Sequence, residues 1–152
     1  MQFSNSVEYA VHGLLFISTT GNSENAVLLR EMADAIRVPE SYLRKVFQSL
    51  ARAGLVVSQR GVGGGYFLGR AATEISLADV VRAVEGSFPV YRCLRQRRNC
   101  EASEPCLVRK TFLEATARME EVLAGVSIED LASDLKARAN PARWLRVTEP
   151  VG

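Results

Sequence analysis

The stretch SYLRKVFQSLARAGLVVSQRGVGGGYFLGR, residues Ser41–Arg70, decides the fold. Its first half has apolar residues at helical spacing and predicts a helix over Ser41–Ala53, which Gly54 can end as a left-handed cap. Two β-rich runs follow, Leu55–Gln59 and Tyr66–Leu68, and the glycines between them predict a hairpin. The helix residues expected to face the core are Tyr42, Val46, Leu50 and, in part, Leu43.

Two further helices are predicted before this stretch. The first covers about Ser6–Ser18, and a turn-forming segment, Gly21–Asn25, separates it from the second at Leu28–Ile36. Val38-Pro39 stops the second helix, because the residue before a proline disfavours helical backbone. Helix, short helix, helix and two-stranded wing is the order of a winged helix-turn-helix, so we expect a mainly α fold with a small β-hairpin wing.

The second half of the chain is also expected to be helical. Ser76-Leu77-Ala78-Asp79 resembles a capping box and opens a fourth helix that reaches about Val84. A long helix is predicted over Leu107–Ala124, and Ser127 caps a last helix that ends near Ala137. The predicted divisions are a DNA-binding domain (1–85), a cysteine-bearing loop (86–106), a dimerisation helix with the C-terminal helix (107–138) and a loose tail (139–152).

The long helix carries a narrow apolar seam. Its apolar residues advance by four, three, four and three positions, which is the spacing of two heptads. Such a seam favours a second copy of the chain as its partner, and the alternative is packing within the monomer. The seam residues are Val108, Phe112, Ala115, Met119 and Val122.

Composition excludes several classes of protein. Apolar residues make up 47% and charged residues 24% of 152 residues, which is typical of globular domains and argues against disorder. The sequence has no apolar run long enough to span a membrane and no basic opening of a signal peptide, so we expect a cytoplasmic protein. No GK[ST] follows the glycines and no nucleophile motif surrounds a cysteine, so we do not expect an enzyme.

Basic residues are concentrated around the predicted helix-turn-helix. The net charge is +2, yet residues 37–70 hold six basic side chains and one acidic side chain. This asymmetry is typical of a nucleic-acid face, although a solvated basic surface is the alternative. In a helix-turn-helix the N-terminal part of the second helix reads the major groove, and a wing can reach phosphate or the minor groove. The predicted DNA-contacting residues are Ser41, Tyr42, Arg44, Lys45, Gln48, Arg60, Gly63, Gly64 and Gly65.

Three cysteines lie close together in the sequence. Cys93, Cys100 and Cys106 follow a C-x6-C-x5-C spacing that is too wide for a zinc knuckle, and their odd number argues against a disulfide framework. Thiolates bind iron–sulfur clusters, often with a different ligand at one position. The spacing therefore indicates a cluster, with free or redox-active thiols as the alternative.

A carboxylate and an imidazole lie one turn apart on the first helix. Glu8 and His12, the only histidine, are four residues apart and share a helical face. Both side chains can bind metal, or Glu8 can orient His12 without binding itself. A lone histidine on an apolar helix is also commonly a hydrogen-bonded core residue.

These motifs together resemble a family of bacterial winged-helix iron–sulfur transcription regulators that includes IscR, NsrR, RirA and RsrR. The resemblance covers about Met1–Leu135 and rests on the wing sequence, ISLADVVRAVEG and the three cysteines. It implies a homodimer that binds an operator, with the long helix as dimer interface and a cluster on the cysteine loop. Members without a cluster also exist.

The resemblance leaves the cluster type open. IscR-like proteins have a histidine three residues after the last cysteine, where this chain has Arg109. NsrR-like proteins use a carboxylate of the partner's first helix, which matches Glu8 and implies [4Fe-4S]. RsrR-like proteins use both a glutamate and a histidine there together with two cysteines, which matches Glu8 with His12 and favours [2Fe-2S]. We expect a repressor that senses redox state, nitric oxide or iron, and the alternative is a cluster-free regulator switched by thiol oxidation or a small ligand.

Overall fold

Helices and one hairpin account for the regular structure of the computed structural model, which describes residues 3–21, 25–86, 88 and 106–138. This architecture confirms the predicted mainly α fold with a β-hairpin wing. Each predicted element is present within two residues of its predicted bounds. The elements are α1 Asn5–Thr20, α2 Leu29–Ile36, α3 Glu40–Arg52, β1 Val56–Gln59, β2 Gly65–Leu68, a 3-10 turn Ala72–Glu74, α4 Leu77–Glu85, α5 Leu107–Ala124 and α6 Ile128–Ala137.

A left-handed residue and a backbone hydrogen bond form the turn between α2 and α3. Arg37 adopts the left-handed region with φ 62° and ψ 47°, and the next amide, of Val38, donates to Ala33 O at 3.0 Å. Pro39 then caps α3, so the predicted stop at Val38-Pro39 falls inside this turn. At the far end of α3, Gly54 has φ 71° and forms the predicted left-handed cap.

The wing is an antiparallel pair extended by one residue from outside the hairpin. β1 and β2 pair from Val56 with Leu68 to Gln59 with Gly65. Val27 adds a bridge on the other side of β2: its amide donates to Tyr66 O at 3.0 Å and its carbonyl accepts from Tyr66 N at 2.8 Å. A Cβ on Gly65 would lie 2.6 Å from Val27 O, so only glycine allows this close approach.

The core forms where α1 crosses α3. The Phe47 ring is fully buried, and an added Cβ on Gly13 would lie 2.6 Å from its Cε2 and 2.7 Å from its Cζ. The expected inward face of α3 was wrong at one position: Leu43 is fully buried whereas Tyr42 is 38% exposed. Phe47 is buried in its place, so the apolar stripe runs through positions 43, 46, 47 and 50, a normal 3-1-3 helical spacing.

The starts of α4 and α6 are joined side by side. Ser76 and Ser127 cap these helices reciprocally with Asp79 and Asp130, as the Ser-x-x-Asp patterns predict. A bridge links the two caps, since Leu77 N donates to Val126 O and Ile128 N to Ile75 O, both at 2.9 Å. Ile128 is fully buried in the same core as α1, so α6 packs into the winged domain. The predicted domain boundaries stay a prediction.

The long helix α5 lies largely outside this core. None of its residues is buried within the described part of the chain. Arg82 of α4 holds it through an ion pair with Glu120, with Arg82 Nε 2.8 Å from Oε1, and also bonds Asp79 at 3.2 Å. No described helix is both long enough and apolar enough to cross a bilayer.

Candidate nucleic-acid interface and cluster ligands

Helix α3 exposes most of the side chains predicted to read DNA. Ser41, Arg44, Lys45 and Gln48 are all exposed, on the face opposite the buried stripe. Because α3 is packed on α1 through that stripe, the exposed residues stand on a rigid element rather than on a loop. Such rigidity suits base recognition, which requires donors held in a fixed orientation.

Arg44 forms an ion pair within α3. Its guanidinium Nη2 donates to Glu40 Oε1 one turn earlier, and both side chains are largely exposed. An exposed ion pair of this kind contributes about 0–1 kcal/mol. The pair therefore adds little to stability, and the Arg44 guanidinium remains at the surface of α3.

Tyr42 is turned toward α1. Its hydroxyl lies 2.6 Å from Ser6 Oγ, and its ring meets the ring of Tyr9 edge-on, with centroids 5.6 Å apart and planes at 88°. The predicted DNA contact through Tyr42 stays a prediction, but its hydroxyl already has a partner within the chain.

The wing places Arg60 beside its glycine tip. Arg60 is exposed directly after β1, and Val62 at the tip is completely exposed. Gly63 is exposed with φ 76°, a conformation that side chains disfavour. Gly64 is half-buried, and its amide donates to Gly61 O at 2.9 Å. Gly65 is half-buried against Val27, so of the three predicted glycines Gly63 is the one at the surface.

Two exposed arginines at the ends of α3 were not among the predicted DNA-contacting residues. Arg37 lies in the turn before it and Arg52 in its last turn, where Arg52 Nε donates to Gln48 O at 3.3 Å. The excess of basic residues over 37–70 could have indicated Arg37 as a further candidate DNA contact. Its left-handed backbone could not be predicted, because glycine is the residue that usually occupies such a turn.

The structure places Glu8 and His12 on the same face of α1. Glu8 is exposed and His12 is half-buried. Burial lowers the pKa of the His12 imidazole, although the nearby Glu8 carboxylate acts in the opposite direction. The net result favours a neutral imidazole near pH 7, which is the form that binds metal.

The cysteines are described in part. Cys106 is half-buried at the N-cap of α5, where the helix begins. Cys93 and Cys100 lie outside the described residues, as does the predicted tail. Among the residues that the structure describes, no three His, Cys, Asp or Glu side chains come together as a metal site. Glu8, His12 and Cys106 are therefore not gathered around one point within this single chain.

The predicted seam of α5 is open to solvent over much of its length. Val108 is 50%, Phe112 38% and Val122 70% exposed, Ala115 is exposed, and Met119 is half-buried. Leu113, which the seam did not include, is 46% exposed but lies on a different face of the helix. A surface of this kind along one helix is unusual unless another molecule covers it.

Comparison with known proteins identifies the family of this chain. Residues 3–134 match the model of the Rrf2 family, described as an iron-dependent transcriptional regulator. Protein aau3 of Rhizobium meliloti is 36% identical over 152 residues, which cover 99% of this chain and 96% of that protein. The HTH-type transcriptional regulator IscR of Photorhabdus laumondii is 33% identical over 134 residues, 88% of this chain and 80% of that one.

A solved structure supports the same assignment. CymR, the global cysteine regulator of B. subtilis, superimposes with a TM-score of 0.70 at 28% identity, over 88% of this chain and 98% of that chain. The family match covers the helix-turn-helix, the wing and the long helix together. The chain therefore belongs to the Rrf2 family and is a DNA-binding transcriptional regulator with a winged helix-turn-helix.

Proposed function

We propose that this regulator is a homodimeric repressor whose operator binding responds to an iron–sulfur cluster. The proposed ligands are either the three cysteines with the partner's Glu8, or two of the cysteines with both the partner's Glu8 and the partner's His12. The proposed signal is redox state, nitric oxide or iron supply. The cluster supplies the chemistry that senses this signal, and the chain supplies ligands, DNA contacts and the dimer surface.

The observation that carries this proposal is the pair of donors on α1. A half-buried imidazole, whose pKa burial lowers, and an exposed carboxylate lie one turn apart on one face of α1. Both are hard or borderline ligands suited to iron, so the donor set fits the cluster. Cys106 lies at the start of α5, where the partial positive charge of a helix N-terminus favours an anionic ligand set.

Separation of the donors within one chain is consistent with a shared site. Glu8 and His12 do not meet Cys106 in the described part of a single subunit. If the exposed seam of α5 pairs two subunits, the thiol loop of one can approach α1 of the other. The cluster would then join the subunits, and its loss would alter how the two α3 helices are spaced.

The ligand set is tested by anaerobic reconstitution of Glu8→Ala and His12→Ala, followed by iron and sulfide analysis and absorption spectra. Loss of cluster in both variants is expected for a [2Fe-2S] cluster that both residues ligate. Full iron, full sulfide and an unchanged spectrum in His12→Ala, with loss in Glu8→Ala, would instead assign a [4Fe-4S] cluster. Glu74→Ala, an exposed carboxylate on the 3-10 turn, is the matched control.

The competing function is a cluster-free regulator switched by thiol oxidation or a small ligand. Its supporting observation is the structural likeness to CymR, described as a cysteine regulator. Wild-type protein that is purified without oxygen and holds neither iron nor sulfide, yet binds its operator in a thiol-dependent way, would establish this alternative.

The DNA face is tested with Arg44→Ala and Arg60→Ala on an operator selected from random duplexes. Loss of Arg44 should cost about 1–3 kcal/mol at the selected site if it reads a guanine. Loss of Arg60 should reduce the salt slope by about one unit if it holds one phosphate. Arg118→Ala on α5, where Arg118 pairs with Glu114 at 3.0 Å, is the control. Unchanged binding of both test variants would show that this face does not bind DNA.

The dimer surface is tested with Ala115→Glu in the seam. Two unpaired carboxylates facing each other across a two-fold axis cost several kcal/mol, so sedimentation should show a monomer. Ala117→Glu places the same charge on the same helix outside the seam and should stay dimeric. A dimeric Ala115→Glu protein would place the interface elsewhere.

A further inference from the structure

Tyr42 connects the first turn of α3 to the first turns of α1. Its hydroxyl and Ser6 Oγ are 2.6 Å apart, and its ring packs edge-on against Tyr9 at 5.6 Å. Edge-to-face geometry is a preferred arrangement of aromatic pairs. Tyr42 is 38% exposed, so this link lies at the rim of the core beside the exposed side chains of α3.

A second contact fixes the same two helices further along. Phe47 packs over Gly13 so closely that no Cβ fits between them. Tyr42 and Phe47 are five residues apart, which is about 7.5 Å along a helix. Two contacts at that separation set the direction of α3 relative to α1, and Leu43, fully buried at the same end of α3, leaves Tyr42 to fix the rim.

The end of α3 that Tyr42 holds is the end expected to enter the major groove. Ser41, Arg44 and Lys45 share its first turns. Base recognition requires donors held within about 0.5 Å and 10–20° of their productive geometry. A small pivot of this end would disturb base contacts while leaving contacts to the phosphate backbone largely intact, because the latter tolerate rearrangement.

We propose that Tyr42 is a positioning residue for sequence-specific DNA recognition and acts through Ser6 and Tyr9 of α1, not by touching DNA. The inference rests on the proposed role of α3 as the reading helix. It does not depend on whether a cluster is bound. It also gives Ser6, a residue on a different helix, a role in operator choice.

The test is a double-mutant cycle of Tyr42→Phe and Ser6→Ala, with operator and non-specific duplex affinities measured by fluorescence anisotropy at one salt concentration. Loss of one net hydrogen bond corresponds to about a 2- to 12-fold loss of operator affinity. We expect this loss in each single variant, no further loss in the double variant, and unchanged affinity for non-specific duplex. Ser18→Ala, at the other end of α1, is the matched control.

A second measurement does not involve DNA. Amide hydrogen exchange in the first turns of α3 should accelerate in both single variants, while exchange at Leu50 near its other end should not. Local opening of this kind is expected where a tertiary contact is lost at one end of a helix. Uniform acceleration along α3 would show a general loss of stability and would contradict the positioning role.

Other outcomes of the cycle overturn the inference. If Tyr42→Phe weakens operator binding and Ser6→Ala does not, the Tyr42 hydroxyl contacts DNA directly. If the two effects add, the residues act independently, and if neither variant changes affinity, the bond positions nothing. If Arg44→Ala is also without effect, it is the proposed reading helix that fails, which distinguishes the two hypotheses.

Discussion

Adding one methyl group at Gly13 probes how tightly α1 and α3 are packed. A Cβ there would lie 2.6 and 2.7 Å from two carbons of the Phe47 ring, which is fully buried and has no room to swing away. Overpacking of a core typically costs about 1–3 kcal/mol. Replacing a mid-helix glycine by alanine returns about 0.5–1 kcal/mol through helix propensity. We therefore expect Gly13→Ala to lower the free energy of unfolding by about 1–2 kcal/mol.

The geometry predicts that Gly13→Ala stabilises the protein, instead of destabilising it, once Phe47 is replaced by leucine. The clashing atoms are Cε2 and Cζ of Phe47, whereas Cδ2 lies 4.0 Å from the added methyl. Leucine ends at the δ carbons, so Phe47→Leu removes the clash while keeping ordinary contact. In that background Gly13→Ala should raise the free energy of unfolding by about 0.5–1 kcal/mol.

Urea denaturation followed by far-UV circular dichroism measures all four corners of this cycle. Equal m-values would show that the native and unfolded states are comparable across the variants. An equal destabilisation by Gly13→Ala in both backgrounds, or a stabilisation of the wild type, would refute the packing argument.

Three more predictions use the same unfolding assay. Arg37→Gly should raise the free energy of unfolding by about 1 kcal/mol, because it relieves a left-handed non-glycine residue, while Arg37→Ala should not. Ser127→Ala should lower it by about 1 kcal/mol through loss of the α6 cap, and Ser127→Asp should retain most of the stability. Burial lowers the pKa of His12, so the unfolded chain binds more protons and the stability of metal-free protein should decrease as pH falls below about 6.5. His12→Leu should remove that part of the pH dependence, and an unchanged pH profile would show that His12 does not contribute to it.

Elements with local signals were predicted closely. The bounds of α5, Leu107–Ala124, agree to the residue, because the heptad spacing fills this segment and Gly125 follows it. The caps at Ser76 and Ser127 and the left-handed Gly54 follow from short motifs whose chemistry is local. The concentration of basic residues likewise predicted that the basic side chains of α3 are exposed.

Features that depend on distant residues were missed. The sequence of α3 has apolar side chains at both 42 and 43, and only the position of α1 decides that Leu43 is buried and Tyr42 is not. The bridge from Val27 to Tyr66 and the pair between Arg82 and Glu120 join residues 38 or more positions apart, which periodicity does not report.

Among the candidate ligands, one relation follows from a local pattern and another depends on distant residues. The shared face of Glu8 and His12 follows from a spacing of four, and the structure agrees. Whether Cys106 approaches them depends on a second subunit, so no pattern within one helix could predict it.

The packing of α6 against α1 has a consequence for how the protein is made. Ile128 and Ala132 close the same core as Ala10 and Leu14, so α1 leaves the ribosome well before α6, which completes its cover. Until then the nascent chain exposes the part of α1 that α6 covers, and the pairing of such distant segments slows folding. A transcript truncated after α5 would therefore yield a chain with an incomplete DNA-binding domain, although every residue of the helix-turn-helix and wing had already been translated.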